Sequence, residues 1–174
     1  MTRLLTLLLI ALALGGCGMS DSEPNPTARQ TNSFDNSENA LSDEQARAQV
    51  VDPAVQVVRA VRLDDVTGGF SFGSCNDQGE PPFQGRVEVA FKLPADPART
   101  YAAIRDALLA QGWTSGAPAG QVVHGDSLHR GGVTATVGPR AADPGYGALQ
   151  FYGECRNSGD HGSEGAVDIT GQLR

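Results

Sequence analysis

The stretch 150–162, QFYGECRNSGDHG, sets Cys155, Arg156, Asp160 and His161 close together. Those side chains could serve as nucleophile and base, as metal ligands, or as one end of a structural cross-link. A thiol nucleophile needs a thiolate, a base and a group that orients the base, and Cys155 with His161 supplies only a pair that is near in sequence. A metal site could draw on His124, His129, His161, Asp126 and Asp160. The chain has no HxH, HExxH or CxxC spacing, so these residues favour structural or solvated roles. Gly69-Phe70-Ser71-Phe72-Gly73 has the GxSxG spacing but lies inside an alternating strand pattern, not at the strand-to-helix turn of a nucleophile elbow, so no elbow carries a Ser-His-Asp triad. The 22 glycines form neither a phosphate loop nor a dinucleotide fingerprint. The sequence therefore yields no catalytic, metal-ligating or cofactor-binding set, and no cofactor is expected.

The compartment decides how the cysteines are read, and the amino terminus points to it. Arg3 precedes an apolar run, Leu4 to Leu14, of the length of a secretory h-region. That run is too short to cross a bilayer, which needs about 20 apolar residues. Leu14-Gly15-Gly16-Cys17 then resembles the lipobox of bacterial lipoproteins, in which the cysteine takes a diacylglycerol and becomes the first residue. Two acyl chains give stable attachment where one is marginal. Residues 1–16 read as the signal peptide, with Cys17 as the lipidated residue. The expected location is the outer face of the bacterial cell membrane.

Residues 17–41 are rich in Ser, Asn, Asp and Pro and poor in large apolar residues, the composition of a disordered tether. A coil of that length spans roughly 25–30 Å, enough to hold a domain clear of the headgroups. With 13 Lys and Arg against 20 Asp and Glu, the formal charge is -7. No basic stripe gathers phosphates, so nucleic acid is not an expected partner. Membrane attachment must come from the lipid on Cys17.

Residues 42–174 must then supply the single domain. Ser42 with Gln45 has the spacing of a capping box, and Asp52-Pro53 makes a cap and first-turn pair, so two short helices broken at Asp52 are expected. From Gly68 the apolar period becomes two. Phe70 and Phe72 share a face, as do Val87, Val89, Phe91 and Leu93, with Arg86, Glu88 and Lys92 opposite. Pro97 to Gln111 reads as the strongest helix, with Asp96 as cap, Tyr101, Ile104 and Leu108 on one stripe, and Gly112 with Trp113 closing it. Further strands are expected at Val133–Val137, at Leu149 and Phe151, and through Val167 and Ile169. Hairpin-length links among them predict an α+β fold: two layers, a mostly antiparallel sheet, and one main amphipathic helix packed on a face after the short N-terminal helices.

The segments SCNDQGEPPFQGRVEVAF, LHRGGVTATVG and GYGALQFYGECRN resemble the LppA-like family of actinobacterial, notably mycobacterial, lipoproteins. The resemblance covers about Val50 to Arg174. It implies a lipid-anchored envelope protein and supplies no catalytic residues.

Two functions remain open on the sequence. One is a non-catalytic envelope module that takes a protein, glycan or lipid ligand on loops carrying Asn76, Phe83, His129, Arg156, Asp160 and His161. The alternative is a small extracytoplasmic hydrolase with a nonstandard site near His129 or His161. A histidine meeting a carboxylate and a hydroxyl would favour the hydrolase, and an open sheet face or groove without perturbed ionisable groups would favour the module. Assigning Cys17 to the lipid leaves Cys75 and Cys155 in a compartment where thiols pair. Each follows an aromatic strand, so a disulfide is expected, provided that the two strands are neighbours.

Overall fold

The structure, a computed structural model, describes residues 39–76, 78–120, 123 and 125–174. The expected signal peptide, Cys17, most of the tether and His124 lie outside these residues. The elements follow in the order α1 (Asp43–Val61), β1 (Thr67–Ser74), β2 (Phe83–Lys92), α2 (Pro97–Ala110), β3 (Thr114–Ser115), β4 (Asp126–Arg130), β5 (Val133–Pro139), β6 (Tyr146–Tyr152), β7 (Val167–Asp168) and α3 (Thr170–Leu173).

The capping box forms as expected. Ser42 Oγ accepts from the Gln45 amide at 3.3 Å, and Gln45 Oε1 accepts from the Ser42 amide at 2.9 Å. The break at Asp52 does not form: α1 runs unbroken for 19 residues with Pro53 inside it. A proline within a helix costs about 3 kcal/mol for the lost hydrogen bond and the clash. Against that cost, Ala46, Val50, Val51, Pro53, Ala54, Val57 and Val58 form one continuous buried stripe across the proline. Each buried valine contributes roughly 1.5–3 kcal/mol. The stripe outweighs the break.

Helix α2 matches its expected form more closely. Pro97 opens it, although Asp96 makes no side-chain cap bond. Gly112 takes a φ of 84°, a left-handed value that suits glycine. It donates to the Leu109 carbonyl at 3.0 Å while Trp113 donates to Leu108 at 3.2 Å, the paired bonds of a Schellman end. Ile104 and Leu108 are fully buried, and Trp113 lies edge-on to Phe151 at 5.5 Å.

One seven-stranded sheet, ordered β3-β4-β5-β6-β2-β1-β7, is antiparallel throughout. Cross-strand partners share a face. Phe70, Val87, Phe151, Ala135 and Leu128 therefore make one apolar row beneath the helices, and Val89, Leu149 and Val137 make the next. Helix α1 lies close on this face at Gly85, where a Cβ would stand 2.5 Å from the Ala46 carbonyl oxygen. The final expected strand differs from its reading. Val167 sits in β7 and is exposed, whereas Ile169 leaves the strand to start α3 and is buried with Leu173. The two-layer α+β architecture thus leaves the second face of the sheet without a covering helix among the described residues.

Candidate functional site

Cys75 and Cys155 form a disulfide with a Cα separation of 6.0 Å. The pairing is as expected, but its geometric condition is not, because β2 stands between β1 and β6. Two strand spacings are about 9.5 Å, too far for the bond. The gap closes because the chain after β6 turns across the start of β2. Asn157 exchanges backbone hydrogen bonds with Phe83 at 2.7 and 3.0 Å, and Cys75 donates to the Pro82 carbonyl at 3.0 Å. The loops after β1 and after β6 consequently lie side by side. A Cβ on Gly162 would be 3.3 Å from the Gly79 carbonyl oxygen.

At this end of the sheet the loop residues serve mainly to build structure. Asn157 is 1% exposed, and its amide is oriented by its partners: Nδ2 donates to the Leu41 carbonyl at 3.2 Å and to Asp43 at 2.7 Å, while Oδ1 accepts from Gly159 at 2.9 Å. His161 is 6% exposed and stacks on Phe72 at 3.6 Å with Phe83 edge-on at 5.4 Å. Its Nε2 lies 2.9 Å from Asn157 Oδ1 and 3.3 Å from Asp43. Its Nδ1 is 2.9 Å from a Glu164 oxygen, off the line of a hydrogen bond. His161 therefore ties the start of α1 to the last loop.

The other candidates are spread out. Phe83 is 2% exposed, so Phe83 and His161 pack the interior rather than line an accessible loop surface, which corrects their reading as loop ligands. The cause is the return of residues 155–161 over β2, a long-range event that local polarity hides. Asn76 organises its own loop, bonding the Ser74 hydroxyl and donating to the Pro81 carbonyl at 3.3 Å. Arg156 pairs with Glu154 at 2.7 Å and donates to the Asn39 carbonyl at 2.7 Å. Asp160 is exposed and accepts from Gly162 at 3.2 Å. His129 lies three strands away from β2 and meets the Gly116 carbonyl at 2.9 Å.

Among the described residues no hydroxyl hydrogen-bonds either His129 or His161, and no three His, Cys, Asp or Glu side chains converge as metal ligands. Asp126 and His129 fall on opposite faces of β4, since odd spacing along a strand reverses direction. Asp126 turns to Arg105 of α2.

Sequence reasoning allowed for an uncovered sheet face but missed which residues assemble on it. Strand register assembles two polar rows there: Ser71, Arg86, Tyr152, Thr134 and His129 in one, and Glu88, Gln150, Thr136 and Ser127 in the other. Gln150 is the hub. Its Oε1 accepts from Tyr152 at 3.0 Å and Thr136 at 3.4 Å, and its Nε2 donates to Glu88 at 3.4 Å. Arg140 Nε donates to the same carboxylate at 3.3 Å. Arg86 lies over Gly73, where a Cβ would collide with its guanidinium, and it bonds the Ser74 carbonyl at 3.3 Å. At the rim, Thr170 hydrogen-bonds the Asp168 carboxylate and holds its pKa below the ordinary value. At the far end of β6, Asp65 accepts from the Tyr146 hydroxyl and raises that phenol's pKa. A groove of about 710 Å³ runs over this face, lined by Ser71, Arg86, Glu88, Arg140, Gln150 and Asp168 among others. The only sequence signal was the polar half of each alternating strand.

Residues 42–172 match the family described as "Putative lipoprotein LppJ". A protein of that description from Mycobacterium bovis is 46% identical over 165 residues, covering 94% of this chain and 87% of its own length. One from Mycobacterium tuberculosis (strain CDC 1551 / Oshkosh) is 46% identical over 161 residues, covering 92% and 85%. No solved structure matches the chain. The segments that resemble LppA-like lipoproteins thus fall within a mycobacterial lipoprotein family of a different description. The chain belongs to the LppJ lipoprotein family.

Proposed function

We propose that this protein is held at the outer face of the cell membrane by a lipid on Cys17, after removal of residues 1–16. A tether over 17–41 then carries the domain 42–174, a non-catalytic binding module that takes an envelope ligand on the open face of its sheet. Family membership and the sequence Leu14-Gly15-Gly16-Cys17 support the anchoring, and the LppA-like segments support a common envelope role. One observation carries the binding reading: among the described residues the antiparallel sheet packs helices on one side only, and a groove of about 710 Å³ lined by polar and apolar groups crosses the other. Concave sites with a few convergent polar groups are the usual places of ligand capture.

The test is affinity capture of envelope components by the detergent-solubilised full chain and by its Arg86→Ala, Arg140→Ala double variant. Capture by the wild type that falls sharply in the variant supports the reading. Equal capture by both, with the variant folded, overturns it.

A further inference from the structure

We propose that the open-face groove takes a neutral, polyhydroxylated ligand: a segment of uncharged glycan. The inference rests on the open-face reading and names the chemistry that this face can recognise. Its charged lining residues are Arg86 and Arg140 against Glu88 and Asp168, a balance of two cations and two anions.

That balance excludes other ligand classes in turn. An anionic ligand would meet Glu88 and Asp168 inside the groove and approach a chain of formal charge -7. A cationic ligand would have to displace Arg140 from Glu88. An apolar ligand would strip water from guanidinium, carboxylate and amide groups without replacing their hydrogen bonds, a heavy cost. An extended peptide gains its affinity by main-chain pairing along a strand edge, whereas this groove presents side chains from the face of β1, β2 and β6.

Hydroxyls that both donate and accept suit what is left. A carboxylate offers roughly four acceptor sites and a guanidinium five donors. Among the described residues Glu88 uses one oxygen on Arg140 and the other on Gln150, and Arg140 spends only its Nε on Glu88. Further acceptor sites and N–H donors therefore stand side by side, at a spacing fixed by their mutual bonds. The Tyr152 hydroxyl donates to Gln150, which leaves its oxygen to accept. The Ser71 and Thr67 hydroxyls line the same groove. Because the floor is bonded internally before any ligand arrives, little side-chain entropy remains to be lost on binding.

The experiment uses the full chain in a non-glycosidic detergent. The probes are neutral hexose and N-acetylhexosamine oligosaccharides, and uronic-acid oligosaccharides of equal length. The expected result is saturable binding of a neutral probe, weakened about tenfold by Glu88→Gln and by Arg140→Ala through the loss of charge-assisted hydrogen bonds, with melting temperature unchanged. Tighter binding of the acidic probes overturns the proposal, as does neutral binding that neither variant weakens. If no oligosaccharide binds while capture of envelope material still depends on Arg86 and Arg140, the glycan is wrong and the open-face reading stands. If that capture is also absent, both fall.

Discussion

Replacing Cys75 and Cys155 together with alanine should lower the stability of the domain by an amount set mainly by the unfolded chain. The bond joins residues 80 apart in sequence. For a loop of that length the chain-entropy model gives about 4.5 kcal/mol at room temperature, reduced by any native strain. A domain of this size has a total stability of about 5–15 kcal/mol, so the variant loses about 30% or more of it. At about 4 °C per kcal/mol for such a chain, the melting temperature should drop by about 18 °C. The native sheet should survive the loss, because the Asn157–Phe83 backbone pair still ties the last loop to β2 at 2.7 and 3.0 Å. Calorimetry of the variant and of the unreduced wild type, with thiol counting in denaturant, provides the assay. A drop of less than about 3 °C, or two titratable thiols in the unreduced wild type outside the lipidated residue, refutes the reasoning.

Three further outcomes follow from the same contacts. Gly85→Ala should destabilise the domain by about 1–3 kcal/mol, because its methyl would meet the Ala46 carbonyl oxygen and lift α1; denaturant unfolding reads it. Asp168 has its carboxyl pKa lowered by Thr170, so it stabilises the fold above its unfolded value of about 3.9 and loses that contribution as pH falls through the lower folded value. The melting difference between wild type and Asp168→Asn should accordingly be full at neutral pH and fade in acid; a difference that grows in acid contradicts the sign. Cys17→Ala should abolish lipid labelling and release the chain from membranes or leave an uncleaved precursor, and radiolabelled fatty acid on the variant would show the lipobox reading to be wrong.

What could be read from the sequence was whatever depended on neighbours along the chain. Period-two alternation marked Val87, Val89 and Phe91, and Val133, Ala135 and Val137, because a sheet covered on one side turns every second residue toward the core, although Ala90 and Thr134 on the other face are buried as well. The end of α2 was legible for the same reason, since Gly112 and Trp113 act within one turn. Pro53 misled because a local rule met a buried stripe that extends on both sides of it. The position of β2 between β1 and β6 was not legible, nor was the burial of Phe83 and His161, because both depend on the chain returning from residues far away. The make-up of the open face was hidden most fully. Arg86, Glu88, Gln150 and Thr136 each look like ordinary solvent-side positions, and only the register of β5, β6 and β2 turns them into one surface. Arg140 joins that surface from the connection after β5, where alternation carries no information.

The central claim, that this protein works through the uncovered face of its sheet, is tested most directly by photo-crosslinking in intact cells. Full-length chains would carry a photoreactive residue at Ser71, in the lining of the groove, or at Leu109 on α2, which is 41% exposed on the helical side. A discrete crosslinked envelope component is expected from position 71 and none from position 109. Crosslinking from 109 alone, or equally from both positions, would contradict this.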